Sequence, residues 1–379
     1  MRLDAAHLTY CTNIHPGETW PEVRANLEQH VTAVKARVAP DVPFGVGLRL
    51  SAIAARELAA GSALAELRAL LAAHDLYVFT INGFPYGEFH GRPVKAAVYR
   101  PDWLEDERLA YTNLLADLLA ELLPPGIDGT ISTVPGCFRE RADEEAPAQI
   151  AARITAHAEH LAALERRTGR HIVLALEPEP CCLLETVEQT IAFFADHLGP
   201  VTRRHVGICL DACHAAVEFE HLPTALAALR AAGITIAKVQ LSAGLLVSPV
   251  GADERRALLA FEDTVYLHQV VARRGDVLER HVDLSDALAA PAGDDEWRIH
   301  FHVPIYGAGL GPIRSTQPFL AELLALHRRD PITTQLEVET YTWDVLPAEL
   351  RAEPLTHAIA RELTWVIDQL SQQPSEALR

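Results

Sequence analysis

The sequence predicts an α/β fold: a single closed (β/α)8 barrel over residues 1–379, with one extended excursion before its last βα unit. Three observations predict it. Eight short apolar runs alternate with stretches of helical spacing. Four of those runs end in a side chain able to ligate a cation. No fixed-period repeat or low-complexity linker divides the chain.

In order, the first strand is expected at Leu8–Asn13, followed by helical spacing from Trp20 to Val38. Phe44–Ser51 is the second strand, with an Ala/Leu-rich helical stretch reaching about Ala73, and Leu76–Asn82 is the third. A long helix from Asp106 to Leu123 is stopped by Pro124-Pro125-Gly126. Gly129–Val134 is the fourth strand, ahead of a helix over about Ala146–Arg167. His171–Leu176 is the fifth, ending at Glu177-Pro178-Glu179-Pro180. The sixth is Val206-Gly207-Ile208-Cys209-Leu210-Asp211, the seventh Ile234–Leu241, and the last Thr334–Glu339, ahead of a helix near Leu355–Leu370. The stretch from about 251 to 302 is too long for one connection. Its strand-like runs, Val265–Val270 and Trp297–Val303, predict an excursion over the barrel that returns with His300 and His302.

Composition narrows the function classes. With 33 basic against 51 acidic residues the formal net charge is −18. That field repels phosphate backbones and anionic lipid, so nucleic acid is not expected as a partner and a small-molecule substrate is. No window reaches the apolar length of a membrane span, so no membrane insertion is expected. The N-terminal residues show no signal-peptide pattern. Cys11, Cys137, Cys181, Cys182, Cys209 and Cys213 show neither C-x-x-C spacing nor a disulfide framework. They read as buried thiols of a reducing compartment, and a cytoplasmic location is expected. Composition leaves open whether the chain forms homo-oligomers or has pathway protein partners.

In a closed barrel Glu177, Asp211, Gln240 and Glu339 emerge on one face, where the βα loops meet. Converging carboxylates repel and raise one another's pKa unless a cation lies between them. Two carboxylates with an amide oxygen or an imidazole suit one divalent metal ion, Mn²⁺, Mg²⁺ or Zn²⁺. Any one such acid could equally cap the following helix or pair with an arginine; four aligned strand ends weigh against that for the set. His214, three residues after Asp211, is a further ligand, a substrate donor or a capping histidine. His300 and His302 alternate on one strand face. Glu337 shares a face with Glu339 but lies lower, where it would satisfy an interior cation such as Arg49.

The Leu-Glu at the fifth strand end, Asp211-Ala212-Cys213-His214, the His300-x-His302 pair and Val338-Glu339-Thr340 resemble the xylose-isomerase-like TIM barrels, over nearly the whole chain. That superfamily includes sugar isomerases and epimerases and endonuclease IV. More narrowly, His7–His15, Tyr266–Val270 and Val338–Trp343 look like the metabolite traffic protein EboE group. Two departures matter: Gln240 stands where the epimerases have histidine, and Asn82 ends a strand where endonuclease IV has a further histidine ligand.

The resemblance implies a metal-dependent isomerase or epimerase of a small sugar, polyol or hydroxy-ketone, with proton transfer through a metal-stabilised enediolate. Glu177 and Glu339 would be the catalytic acid and base, and Glu177, Asp211, Gln240 and Glu339 the metal ligands. His214, His300, His302, Asn82 and Arg49 would contact substrate. The alternatives are a non-catalytic metabolite-binding scaffold of an export pathway and a metal-dependent phosphoesterase.

Overall fold

The computed structural model describes residues 1–91, 93–291 and 295–372. The barrel strands are β1 (Ala6–Tyr10), β2 (Phe44–Arg49), β3 (Leu76–Asn82), β4 (Gly129–Thr133), β5 (Ile172–Leu176), β6 (Val206–Asp211), β7 (Ile236–Leu241) and β8 (Gln335–Val338). Their lateral order is β1-β8-β7-β6-β5-β4-β3-β2, with neighbours parallel. A two-residue strand, Arg2–Leu3, pairs antiparallel with β1 outside the barrel. Every residue of β2, β4, β5, β6 and β8 is buried, as a parallel sheet covered on both faces requires. This is a TIM barrel.

The barrel closes between β1 and β2 through a side chain as well as the backbone. Thr9 Oγ1 donates to Gly45 O (2.7 Å) and accepts from Gly47 N (3.0 Å), and Cys11 bridges to Gly47 in the parallel sense. Gly47 is required by its neighbours: a Cβ there would stand 1.7 Å from Glu337 Oε1 and 2.7 Å from Tyr10 O. The missing side chain admits the Glu337 carboxylate to the lumen.

The outer helices follow the amphipathic spacing, and their ends are chemically marked. Ser51 Oγ caps Ala52–Leu58, and Thr186 and Gln189 form a capping box on Val187–His197. Helix Ala146–Thr168 ends at Gly169 in the left-handed region (φ 70°). No helix among the described residues is long and apolar enough to cross a membrane.

The excursion is larger than residues 251–302. A second, antiparallel sheet begins directly after β7 at Leu245–Val247 and ends with Ile313–Ser315, in the order 277–281, 270–274, 296–299, 245–247, 313–315, 309–310. The run Val265–Val270 is not a strand: Asp263 Oδ1 accepts from the amides of Val265 (2.6 Å) and Tyr266 (2.9 Å), curling this segment, and the strand begins at Val270. The strand expected at Trp297–Val303 ends at Ile299, which leaves His300 and His302 on irregular backbone beside the mouth.

Candidate metal centre

Glu177 leaves β5, Asp211 and Gln240 belong to β6 and β7, and Glu339 follows β8. All four side chains are buried at the carboxyl end of the barrel. Asp211 has two roles at once. Its Oδ1 caps helix Ala212–Val217, accepting from His214 N (2.9 Å) and from Ser242 Oγ (2.7 Å). Its Oδ2 has no hydrogen-bond partner. The capping alternative therefore holds for one oxygen and leaves the other free to ligate.

Three more polar positions are left open in the same way. Glu177 Oε2, both amide atoms of Gln240 and His302 Nε2 are buried without hydrogen bonds. An orphaned buried donor or acceptor costs about 1–3 kcal/mol, so such atoms at one strand edge call for a partner the chain does not itself supply. Glu339 is held differently: its Oε1 accepts from Asn13 Nδ2 (2.8 Å) and Asn82 Nδ2 (2.9 Å).

Electrostatics agree with the orphaned atoms. Burial, then repulsion from Glu339 and Asp211, pushes the Glu177 carboxyl well above the usual carboxylate range. Burial, then Asp211 and Glu337, does the same to Glu339. A cation between them would remove that repulsion.

Three imidazoles complete the mouth. His214 Nδ1 faces Pro178 O (3.0 Å), His300 Nδ1 faces Gln269 Oε1 (2.8 Å) and His302 Nδ1 faces Glu339 O (2.9 Å). Each oxygen is an acceptor, so each Nδ1 carries the proton and each Nε2 presents a lone pair. His214 Nε2 and His300 Nε2 stand 3.1 Å apart, an arrangement that two lone pairs tolerate only around a cation or a shared proton. Burial and the neighbouring rings hold His300 well below the ordinary histidine range, and burial, offset in part by Asp211, takes His302 to about 4. The sets His214–His300–His302, Glu177–Asp211–His214 and Asp211–Cys213–His302 each place their ligand atoms within 4.8 Å of one another. Carboxylate and imidazole donors at that spacing fit a divalent ion.

The cavity above these residues has about 510 Å³ of empty space, counting its opening to solvent, and Glu177, Glu179, His214, His300, Glu339, Asn13 and Asn82 line its floor. Phe84, Phe89, Val98, Tyr266, Leu267 and Tyr341 make an apolar wall. Of the residues expected from sequence, Asp211, Gln240, His302 and Arg49 are not in this lining; the first three lie buried with the unpartnered atoms described above, whereas Arg49 is turned away from them. Its guanidinium bonds Glu18 Oε1 (2.7 Å), Gly17 O (2.7 Å) and Gly87 O (2.5 Å), tying loops together, so it neither faces substrate nor pairs with Glu337. The interior cation opposite Glu337 is Lys238.

Sequence reasoning missed a second ring of residues. Glu179 accepts from Tyr99 OH (2.6 Å) and lies 3.4 Å from His300 Nδ1, while Gln269 Nε2 donates to Tyr99 OH (2.7 Å) and Pro180 O (3.1 Å). Gln269 thereby fixes the ring of His300, and Asn13 the carboxylate of Glu339. Signals existed in the second acid of Glu177-Pro178-Glu179 and in the asparagine closing the first run.

No protein-family model matches the sequence and no curated protein does, so the narrower EboE resemblance has no support from either comparison. Solved structures do match. A xylose isomerase-like TIM barrel protein from Mycobacterium smegmatis, in complex with magnesium, superposes with a TM-score of 0.55 at 12% identity, over 96% of each chain. D-allulose 3-epimerase from Methylomonas sp., in complex with D-allulose, gives 0.51 at 12%, also over 96% of each. The probable 3-DHS dehydratase AsbF of Bacillus anthracis, involved in petrobactin synthesis, gives 0.51 at 13%, over 96% of this chain and 98% of that one. At these identities the likeness establishes the fold alone, a TIM barrel.

Proposed function

We propose that the chain is a divalent-metal-dependent isomerase or epimerase of a small sugar-, polyol- or hydroxy-ketone-type metabolite, with one of Glu177 and Glu339 removing a proton from the substrate and the other returning it. The observation that carries this reading is the pair of lumen carboxyls: Glu177 and Glu339 both line the cavity, and Glu177 Oε2 is buried there without a hydrogen-bond partner. Two carboxyls facing one cavity can divide the work, one removing a proton and the other returning it.

Glu177, Asp211, Gln240 and Glu339, with His214 beside them, would hold the ion. When bound, it supplies Lewis-acid polarisation of adjacent carbonyl and hydroxyl oxygens. Asn13 and Asn82 both donate to Glu339 Oε1 and hold its carboxylate in place at the cavity. His214, His300 and His302 orient hydroxyls, each set by the acceptor on its Nδ1. The apolar wall excludes water from the exchanging proton.

Glu177→Gln and Glu339→Gln, made separately, test the reading by solvent-deuterium incorporation into a panel of ketoses and cyclic hydroxy-ketones. Loss of about 10²–10⁴-fold in each variant is expected. Unchanged exchange in both sinks it, and metabolite binding without exchange in the parent points to a carrier. The cluster of three imidazoles favours one further reading, a second ion and phosphoester hydrolysis; against it, among the described cavity-lining residues Lys95 is the one cationic residue other than histidine, and it is bound to Asp283 (2.6 Å).

A further inference from the structure

At the opposite, amino-terminal edge of the barrel, Glu165 near the end of helix Ala146–Thr168 meets His171, just before β5, and His205, just before β6. His205 is buried, with 2% of its side chain exposed, and its Nδ1 lies 3.0 Å from Ile172 O. That carbonyl fixes the proton on Nδ1 and leaves the Nε2 lone pair facing Glu165 Oε2 at 3.4 Å, with no hydrogen bond between them. His171 Nδ1, also buried and without a hydrogen bond, stands 3.5 Å from Glu165 Oε1. The three ligand atoms all lie within 4.8 Å of one another.

We propose that Glu165, His171 and His205 form a structural site for a borderline divalent cation of the zinc class, clamping the end of helix Ala146–Thr168 to the starts of β5 and β6. Two arguments carry it. A tetrahedron with arms of about 2.0–2.1 Å has edges of about 3.3–3.4 Å, which the His205 Nε2–Glu165 Oε2 separation matches, with His171 Nδ1 close enough to move onto a third vertex. A lone pair turned toward a carboxylate oxygen is repulsive until a cation lies between them, and two imidazoles with one carboxylate select zinc over magnesium or calcium. The backbone carbonyl behind His205 orients the ring as metal-bound histidines require. Arg204 bonds Glu165 Oε1 (2.7 Å), but 62% of its side chain is exposed, so it leaves that oxygen without breaking a packed contact.

The test counts zinc in protein equilibrated with ZnSO₄ and dialysed, for the parent, His171→Gln, His205→Gln and the mouth variant Asp211→Asn/His214→Gln. The proposal expects each of the two amino-terminal-edge variants to lose about one equivalent relative to the parent. It expects the mouth variant to keep that equivalent and to gain in Tm with zinc, a gain abolished when His171→Gln is added. Equal zinc content in the parent and His171→Gln, with circular dichroism unchanged, overturns it and leaves a plain imidazolium–carboxylate pair. If His205→Gln does not fold, the partly exposed His171 decides. Zinc lost in the mouth variant alone refutes this site while leaving the mouth reading intact.

Discussion

Two layers of the barrel lumen, one above the other, treat buried charge in opposite ways. The lower layer is Lys238 of β7 with Glu337 of β8, and the upper is Gln240 of β7 with Glu339 just past β8, each two residues further along the chain. All four side chains are essentially excluded from solvent. In the lower layer Lys238 Nζ bonds both the Glu337 carboxylate and Thr80 Oγ1 (2.9 Å). Burial works against the ammonium, yet the Glu337 carboxylate holds its pKa above the ordinary lysine value. In the upper layer Glu177 Oε2, Asp211 Oδ2 and the whole Gln240 amide are unpartnered. Burial is equal in the two layers; the supply of a counter-charge is not. The lower layer holds its own cation, with one oxygen, Glu337 Oε1, left unpartnered; the upper layer holds three carboxylates and no cationic side chain of its own.

The largest expected effect breaks the lower layer. Lys238→Met leaves Glu337 buried without its cation and should cost about 3–5 kcal/mol by urea denaturation, with much of it recovered in Lys238→Met/Glu337→Leu. A loss below about 1 kcal/mol would show that the pair is not what neutralises the lumen.

A buried carboxyl behind the mouth offers the next test. Glu362 Oε1 accepts from Thr340 Oγ1 (2.7 Å) and Ile305 N (3.1 Å), and burial raises its pKa to about 7. Because the folded value is the higher one, its contribution is fully present below the unfolded pKa and is lost as pH rises through about 7. Glu362→Gln keeps an acceptor for both bonds and cannot ionise. Its stability gain should grow from near zero at pH 4 to at most about 3 kcal/mol at pH 8, read from thermal melts across that range.

The smallest effect sharpens the upper layer. In EDTA, Glu177→Gln should stabilise the protein by about 1–2 kcal/mol at pH 8, because one repelling buried carboxylate is gone. The sign follows the raised pKa of Glu177: its cost appears as pH rises, so the gain should shrink in acid. Mn²⁺ at about 100 times its Kd should add about 2.7 kcal/mol to the parent and much less to the variant. Equal Mn²⁺ stabilisation of both would remove Glu177 from the ligand set.

The sequence by itself determined the barrel and which strand ends meet at one edge of it. Apolar runs separated by helical spacing can be buried on both faces in a parallel sheet, and a strand's period of two puts the residues closing β6, β7 and β8 at one edge. The third strand, Leu76–Asn82, lies where the pattern put it, and the others differ by a few residues at their ends. What only the tertiary structure decided is which side chains meet. Asn13 and Glu339 are 326 positions apart, and Lys238 and Glu337 are 99, and no spacing rule encodes such a contact. The same holds for the three imidazoles, for Arg49 turning to Glu18 and for the second sheet running from Leu245 to Ser315. Local spacing fixes periodicity because it acts through a few bonds of backbone geometry. Partner choice, and with it every unpaired atom of the mouth, depends on barrel closure bringing distant strands into register.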